Sequence, residues 1–154
     1  MKFLDLITVD RILPALTSTT KEEVIKELLA TFEFTKPAFK KNFDLVMERE
    51  SRGTTGMGEG IAMPHSNQTA GKEIMGAFGR STQGVDFNAL DGQPVHLVFL
   101  VLSGDIHKGL HIEGLKYISK MMRNAIYKRF LLEAKGKRDI HKILKEVDEK
   151  EQQG

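Results

Sequence analysis

Two segments near the start of the chain carry hydrophobic residues at helical spacing. The first opens on Thr19 and Thr20, each with a glutamate three residues later, which is an arrangement that caps helices. The second begins with Pro37, a residue suited to a helix's first turn. The spacing predicts one helix over residues 21–34 and another from residue 37 to about residue 51. The apolar positions are Val24, Ile25, Leu28, Leu29 and Phe32 in the first helix, and Phe39, Phe43, Val46 and Met47 in the second.

Short apolar runs follow, and they predict strands rather than helices. The longest, VHLVFLVL at residues 95–102, is nearly unbroken and is typical of a strand covered on both faces. Helical spacing returns towards the end of the chain, where Asp139 provides a cap for the last helix. The predicted strands are residues 12–16, 61–63, 74–78 and 95–102, and the later helices are residues 110–122, 127–134 and 139–147.

The predicted order is therefore one strand, two helices, three strands and three helices. Such a set favours helices on both faces of a small mixed β-sheet, because each sheet face must be buried against another layer. We expect an α/β protein with a three-layer α/β/α sandwich. A chain of 154 residues without repeats or a long linker is the size of one domain, so we expect residues 1–154 to form one.

A glycine-rich segment, RGTTGMGEG at residues 52–60, separates the second helix from the strands. Four glycines in nine positions are expected to prevent regular structure and to form a loop with functional potential. The loop lacks the lysine of a phosphate-binding GxxxxGK[ST] motif. It also lacks the glycine spacing and the preceding strand of a dinucleotide-binding fingerprint. Nucleotide binding is therefore not expected.

Composition narrows the remaining classes of function. The absence of cysteine excludes disulfides, thiolate metal sites and a cysteine nucleophile. No apolar run is long enough to span a bilayer, and acidic residues near the start argue against a signal peptide, so we expect a cytoplasmic protein with no direct membrane insertion. The net charge is only +2, and the basic residues after Lys116 lack aromatic partners. They are expected to be solvated helix faces, with no nucleic-acid partner.

Among the five histidines, His65 is the candidate nucleophile. Pro64 holds the backbone before it, and the glycine-rich loop arrives just ahead of it in the run GIAMPH, residues 60–65. A neutral imidazole can accept a phosphoryl group and hand it on, and exposed backbone N–H groups of a glycine loop can bind phosphate oxygens. A histidine beside a proline can equally be structural, so the spacing by itself leaves both interpretations open.

Three blocks of sequence resemble the IIA components of the bacterial sugar phosphotransferase system, in the mannitol, fructose and nitrogen-regulatory class. They are MERESRGTTGMGEGIAMPH at residues 47–65, GVDFNALDGQPVHLVFLVL at residues 84–102 and HIEGLKYIS at residues 111–119. Together they reach from the predicted helices of the first half to those of the second. The resemblance implies that His65 is the phosphorylated residue, with a phosphohistidine carrier protein (HPr-like) as donor. It implies no cofactor.

The same resemblance implies roles for further residues. Arg49 would neutralise phosphoryl oxygens with its planar guanidinium, although an ion pair with Glu48 or Glu50 is the alternative. His111 would be the second active-site histidine at a helix start, the alternative being a capping or core residue. Glu59 could orient His65 or be a solvated carboxylate. Thr54 and Thr55 could supply hydroxyl donors to the phosphoryl environment.

The chain also departs from the family pattern. Ser66 follows the candidate histidine where the family usually has glycine, and the proline that commonly follows the central strand is absent from LSGDIHKGLH, residues 102–111. We therefore expect a locally different loop before His111. His107 lies four residues earlier and could share a helix face with it as a metal pair, but no motif supplies a third ligand, so no metal is expected. His96 is interpreted as a strand residue and His141 as a solvated helix residue.

Two functions follow from the resemblance. In the first, the chain is a phosphotransferase component that passes the phosphoryl group from His65 to the cysteine of a IIB domain. In the second, it resembles the nitrogen-regulatory members, and its phosphorylation state controls binding to regulatory partners, since a phosphate brings nearly two negative charges. A metal-binding or purely structural domain is a third interpretation.

Overall fold

The computed structural model describes residues 1–69 and 73–153. The described helices are α1 (Phe3–Leu6), α2 (Lys21–Ala30), α3 (Lys36–Ser51), α4 (Lys108–Met122), α5 (Ala125–Glu133) and α6 (Lys137–Gln153). The described strands are β1 (Ile12–Leu13), β2 (Gly56–Gly58), β3 (Ile61–Ala62), β4 (His65–Ser66), β5 (Met75–Val85) and β6 (Val95–Leu102). Short 3-10 turns occupy Val9–Arg11 and Asp105–His107. In the part of the chain described, no helix has both the length and the apolar character needed to cross a bilayer.

The six described strands form one mixed sheet, in which five are neighbours in the order β1-β5-β6-β3-β2 and β4 pairs with β6. Strand β6 pairs with β5 antiparallel on one side and with β3 and then β4 parallel on the other. The outer pairs are β1 with β5, which is parallel, and β2 with β3, which is antiparallel. Because β4 continues along β6 where β3 ends, His65 lies opposite Val101, near the carboxyl end of β6.

The sheet is covered on both faces, which confirms the three-layer α/β/α prediction. Alternate residues of β6 point to opposite sides, since side chains alternate along a strand. Leu97, Phe99 and Val101 pack in a core with α1, α4, α5 and α6. The other core, with α2 and α3, receives Val98, Leu100 and Leu102. Burial on both sides explains why β6 reads as a continuous apolar run.

The predicted numbers of elements were too small. The structure has five strands between α3 and α4 where three were predicted, and the expectation of no regular structure over residues 52–60 is wrong for β2. Glycine is required there because of a close approach. A Cβ atom on Gly56 would lie 2.9 Å from the Cα atom of Ala89. The absence of a side chain on Gly56 thus lets this strand approach a neighbouring segment closely. The low strand propensity of glycine, which was the basis of the prediction, gives no sign of this close approach.

Helix α1 was also not predicted, because it depends on the other end of the chain. The buried carboxylate of Asp148 on α6 accepts hydrogen bonds from the backbone N–H groups of Phe3, at 2.8 Å, and Leu4, at 3.1 Å. The hydroxyl of Tyr117 on α4 donates to the same carboxylate at 2.6 Å. Four residues do not form a stable helix in isolation, so these tertiary bonds stabilise α1.

Candidate functional site

His65 begins the short strand β4, and the pairing of β4 with β6 fixes its backbone. The imidazole is half-buried, and its Nδ1 atom lies 2.8 Å from the carbonyl oxygen of Met63. A carbonyl oxygen can only accept a hydrogen bond, so Nδ1 carries the proton. The neutral ring therefore has its lone pair on Nε2, which is the nitrogen available as a nucleophile.

His111 lies in the first turns of α4, and its ring faces that of His65. The two ring centroids are 5.3 Å apart, with an angle of 57° between the planes. His111 is only 3% exposed, and its Nδ1 atom lies 2.7 Å from the hydroxyl oxygen of Ser103. Its Nε2 atom is buried without a hydrogen-bond partner in the described residues. A buried polar atom of this kind costs stability unless a ligand satisfies it.

The two histidines share a cleft of about 430 Å³ between α3, the segment after β4 and the start of α4. Its lining combines apolar side chains with three cations and two carboxylates. A site with convergent polar groups and apolar walls is suited to binding a small group or a protein partner's side chain. The lining residues are Leu45, Glu48, Arg49, Arg52, His65, Ser66, Asn67, Gln68, Asp105, Lys108, His111, Ile112 and Leu115.

Arg49 lies in the last turn of α3 and lines this cleft. One guanidinium nitrogen, Nη1, donates to the carbonyl oxygen of Gly53 at 2.7 Å, which anchors the side chain and leaves its other donors for a ligand. The two neighbouring glutamates have other cationic partners. Glu50 pairs with Lys21 at 2.9 Å, and Glu48 with Arg52 at 3.7 Å. Arg49 therefore contributes a cation to the cleft, because Glu48 and Glu50 form their ion pairs with other residues.

Burial keeps both histidines neutral. Desolvation lowers the pKa of His65, and the nearby Arg49 cation lowers it further, against the opposing effects of the Met63 carbonyl and Glu50. For His111, desolvation together with the neighbouring His65 lowers the pKa to about 4. At neutral pH the site thus contains an unprotonated nucleophile beside a second neutral imidazole.

The structure does not bring Glu59 to His65. Glu59 is exposed, at a backbone φ of 57°, and its carboxylate lies 3.5 Å from the Nζ atom of Lys128. It lines a different depression, together with Asp91 and Met122, because the chain turns sharply between β2 and β3. We therefore expect no direct orientation of the nucleophile by this carboxylate.

Thr54 and Thr55 hold the glycine-rich loop rather than line the cleft. The hydroxyl of Thr54 donates to the carbonyl oxygen of Phe87 at 2.6 Å. Thr55 is buried, and both its hydroxyl and its backbone N–H donate to the carboxylate of Glu50. Glu50, itself buried, thus ties the end of α3 to the loop. From the sequence, Glu50 was expected only as a possible ion-pair partner of Arg49.

The remaining histidines have separate places. His107 is the residue before α4, and His96 has its Nδ1 atom 2.8 Å from the carbonyl oxygen of Ser81. His141 is half-buried on α6. Over residues 1–69 and 73–153, no group of three or more histidine, aspartate or glutamate side chains is arranged to hold a metal ion. The basic residues after Lys116 are spread over α4, α5, α6 and their connections, and all but Lys128 are exposed.

Two further residues of the site were not singled out from the sequence. Lys108, the first residue of α4, adds a cation to the cleft. Ser103 contacts His111 from immediately after β6. The signal available in the sequence was their position, since polar side chains that follow a buried strand and open a helix commonly border a ligand site.

Residues 5–147 match the family described as "Phosphoenolpyruvate-dependent sugar phosphotransferase system, EIIA 2". A "Nitrogen regulatory protein" of Bradyrhizobium diazoefficiens is 33% identical over 145 residues, which cover 94% of this chain and 95% of that protein. A "PTS system fructose-specific EIIABC component" of Bacillus subtilis is 35% identical over 153 residues, or 96% of this chain. The chain spans 24% of the length of that second relative.

Solved structures share the fold. The nitrogen regulatory protein IIA-Ntr from Neisseria meningitidis aligns with a TM-score of 0.84 and 24% identity, covering 93% of this chain and 99% of that one. The mannitol enzyme IIA from Escherichia coli, in its complex with phosphorylated mannitol enzyme IIB, aligns with a TM-score of 0.72 and 20% identity, covering 90% of this chain and 98% of that one. At these identities the likeness shows a common architecture.

Proposed function

The chain belongs to the EIIA 2 family of the phosphoenolpyruvate-dependent sugar phosphotransferase system, and on that premise we propose that His65 is its phosphoryl acceptor. The donor is a phosphohistidine carrier protein, and the acceptor of the next step is a IIB domain. The match over residues 5–147 supports treating residues 1–154 as one such domain. The observation that most supports this proposal is the geometry of the two facing imidazoles, in which Nδ1 of each ring is hydrogen-bonded.

The chemistry uses the lone pair of His65 Nε2. This nitrogen attacks phosphorus as the N–P bond of the donor's phosphohistidine breaks, and the electron pair of that bond returns to the donor's imidazole. Donation from Nδ1 to the carbonyl of Met63, at 2.8 Å, holds the ring in the required tautomer and orientation. In the next step the new N–P bond breaks, and phosphorus passes to the thiolate of the IIB cysteine. Positioning and charge stabilisation dominate such transfers.

The rest of the cleft stabilises the transferring group. Arg49 supplies a guanidinium already anchored on Gly53, and His111 offers its buried, unpartnered Nε2 atom. Lys108 adds positive charge at the start of α4, where the backbone N–H groups of the first turn also favour an anion. Each preorganised donor of this kind contributes about 10²–10³ in rate when it acts on developing charge.

Reconstitution tests the proposal. The chain is incubated with phosphoenolpyruvate, enzyme I and the small phosphocarrier protein, and we expect one acid-labile, base-stable phosphate. His65→Ala should abolish the label, and His141→Ala on α6 is the matched control that should retain it. Label that persists in His65→Ala would show that another residue is the acceptor.

A regulatory role is the second candidate. It is favoured by the relative named "Nitrogen regulatory protein", which matches this chain over 95% of its own length. In this role, phosphorylation of His65 adds nearly two negative charges to a surface that includes exposed Ile112 and Lys108, and this changes the fit of a partner. Pull-downs with His65→Asp and His65→Ala distinguish the two. Capture of a IIB protein supports transport, whereas capture of a kinase or transporter regulator by one of the two variants supports regulation.

A further inference from the structure

Ser103 occupies a junction between the two histidines. It follows β6 directly and has no exposed surface. Its backbone N–H donates to the carbonyl oxygen of Ser66, at 3.0 Å, and its carbonyl oxygen accepts from Thr69, at 3.1 Å. Since Ser66 is the residue after His65, these bonds fix Ser103 to the strand that carries the nucleophile.

The side chain of Ser103 points to the other histidine. Its hydroxyl oxygen lies 2.7 Å from Nδ1 of His111, and this is the hydroxyl's partner among the described residues. Two arrangements of the protons are possible for a neutral ring. Either the hydroxyl donates to Nδ1 and Nε2 carries the ring proton, or Nδ1 donates to the hydroxyl oxygen and Nε2 carries a lone pair.

Satisfaction of the buried groups decides between these arrangements. In the second, the hydroxyl proton of Ser103, a residue with no exposed surface, would have no acceptor in the described residues, and the lone pair on Nε2 would have no donor. A buried donor left without an acceptor costs about 1–3 kcal/mol. In the first, both the hydroxyl and Nδ1 are satisfied, and only the N–H at Nε2 is left, so the first arrangement leaves one group unsatisfied where the second leaves two.

We propose that Ser103 is a positioning residue that holds His111 in the tautomer with its proton on Nε2, so that His111 donates a hydrogen bond to the phosphoryl group on or near His65. The part of this inference that concerns the reaction rests on the function proposed above. It explains why Nε2 of His111 is buried without a partner among the described residues: the N–H is a donor whose acceptor is a phosphoryl oxygen. The opposite tautomer would present a lone pair to that oxygen and repel it.

The first test measures the tautomer directly and requires no phosphorylation. Long-range ¹⁵N–¹H correlation spectra of the imidazole rings distinguish protonated from unprotonated nitrogens at neutral pH. We expect the wild-type protein to show His111 protonated at Nε2, and Ser103→Ala to shift the ring towards the Nδ1-protonated form or a mixture. Ser103→Thr keeps the hydroxyl and should keep the wild-type tautomer.

Ser81→Ala is the matched control. Ser81 is also a buried serine, its hydroxyl accepts from the N–H of Gly84, and it lies on β5 away from the cleft. This variant loses a buried hydroxyl and should leave the His111 signals unchanged. Wild-type His111 protonated at Nδ1, or a Ser103→Ala spectrum identical to wild type, would overturn the proposal. If Ser103→Ala does not fold, the wild-type spectrum still tests the proposal, because it shows which nitrogen of His111 carries the proton.

The second test is kinetic. Ser103→Ala should lower the rate of phosphoryl uptake at saturating carrier protein by about 10–100-fold, the size seen when a residue that orients a histidine is removed. The KM for the carrier should change little, because the hydroxyl is buried and cannot touch a partner. Ser103→Thr should restore most of the rate. An equal rate of phosphoryl uptake in Ser103→Ala and wild type would refute the proposed effect of Ser103 on phosphoryl transfer. If the wild-type chain takes up no phosphate, the proposed function is wrong. The spectra would then still test whether Ser103 fixes the tautomer of His111.

Discussion

Acidification should destabilise the protein through His111 before most carboxylates become protonated. Burial lowers the pKa of this imidazole from 6.5 to about 4, so the folded protein resists protonation that the unfolded chain accepts. A histidine with a lowered pKa contributes stability that is fully present above the unfolded value. That contribution is lost as the pH falls from 6.5 towards about 4.

The size of the effect follows from the two pKa values. At pH 5, protonation favours the unfolded state over the folded state by a factor of about 30, which corresponds to about 2 kcal/mol. The ring also borders an open cleft, and solvent there screens part of the penalty, so we expect about 1–2 kcal/mol. At pH 7.5 the same term is close to zero. His65 adds a contribution of the same sign, since its pKa is also lowered.

Urea denaturation at pH 7.5 and pH 5 measures the effect. His111→Gln removes the titrating group while keeping a polar side chain of similar length. The loss of unfolding free energy between the two pH values should be about 1–2 kcal/mol larger in wild type than in the variant, whatever their difference at pH 7.5. Equal losses in the two proteins would show that the folded protein does not exclude the proton from His111, which would contradict the prediction.

Three further substitutions have defined outcomes. Arg49→Gln should lower the rate of phosphoryl uptake by about 10²–10³-fold, and the acid limb of the rate profile should move to higher pH, because the cation lowers the pKa of His65. Asp148→Asn should lower the unfolding free energy by about 2–3 kcal/mol and the Tm by about 5–10 °C, since α1 and Tyr117 lose a charged acceptor. Arg80→Met should destabilise by about 2–4 kcal/mol, because its guanidinium binds the carbonyl oxygens of Pro14, Leu131 and Ala134.

The exposed ion pair of Lys40 and Asp44 on α3 provides controls for the two stability predictions. Its side chains are 77% and 58% exposed, so Lys40→Met and Asp44→Asn should each change stability by less than about 1 kcal/mol. A loss from Asp148→Asn or Arg80→Met no larger than these would contradict the roles given to the buried bonds. For Arg49, the substitution Arg49→Lys keeps the positive charge and removes the planar guanidinium. A rate equal to that of wild type would show that phosphoryl transfer does not depend on the guanidinium geometry.

Much of the fold could be predicted from the sequence because helices and strands each give a characteristic local spacing of apolar residues. The apolar spacing of α2, α3, α4 and α6 identified these helices to within a few residues at most ends, although α6 continues to Gln153. The run at residues 95–102 coincides with β6, and its unbroken apolar character indicated burial on both faces. These features need only short-range information, since a helix or strand must present its apolar side chains at the period of its own backbone.

The candidate site could be predicted in part. The sequence blocks containing Arg49, His65 and His111 identified three residues that the structure places in one cleft. The resemblance also grouped Glu59, which lies six residues before His65, with them. The intervening turn directs that side chain to Lys128 instead. Proximity along the chain does not determine the direction of a side chain after a glycine-rich turn.

Which polar groups meet depends on the tertiary structure. Asp148 stabilises α1 across 145 residues of sequence, and Ser103 meets His111 only because β6 and α4 pack together at one end of the sheet. Such contacts leave no periodic signal, since each depends on the relative positions of two elements rather than on the pattern within either. The layers, the elements of the core and the identity of the nucleophile candidate could be inferred from local patterns and motifs along the chain. The folded chain determined which nitrogen of each histidine is occupied by a protein partner, because that depends on atoms from distant segments.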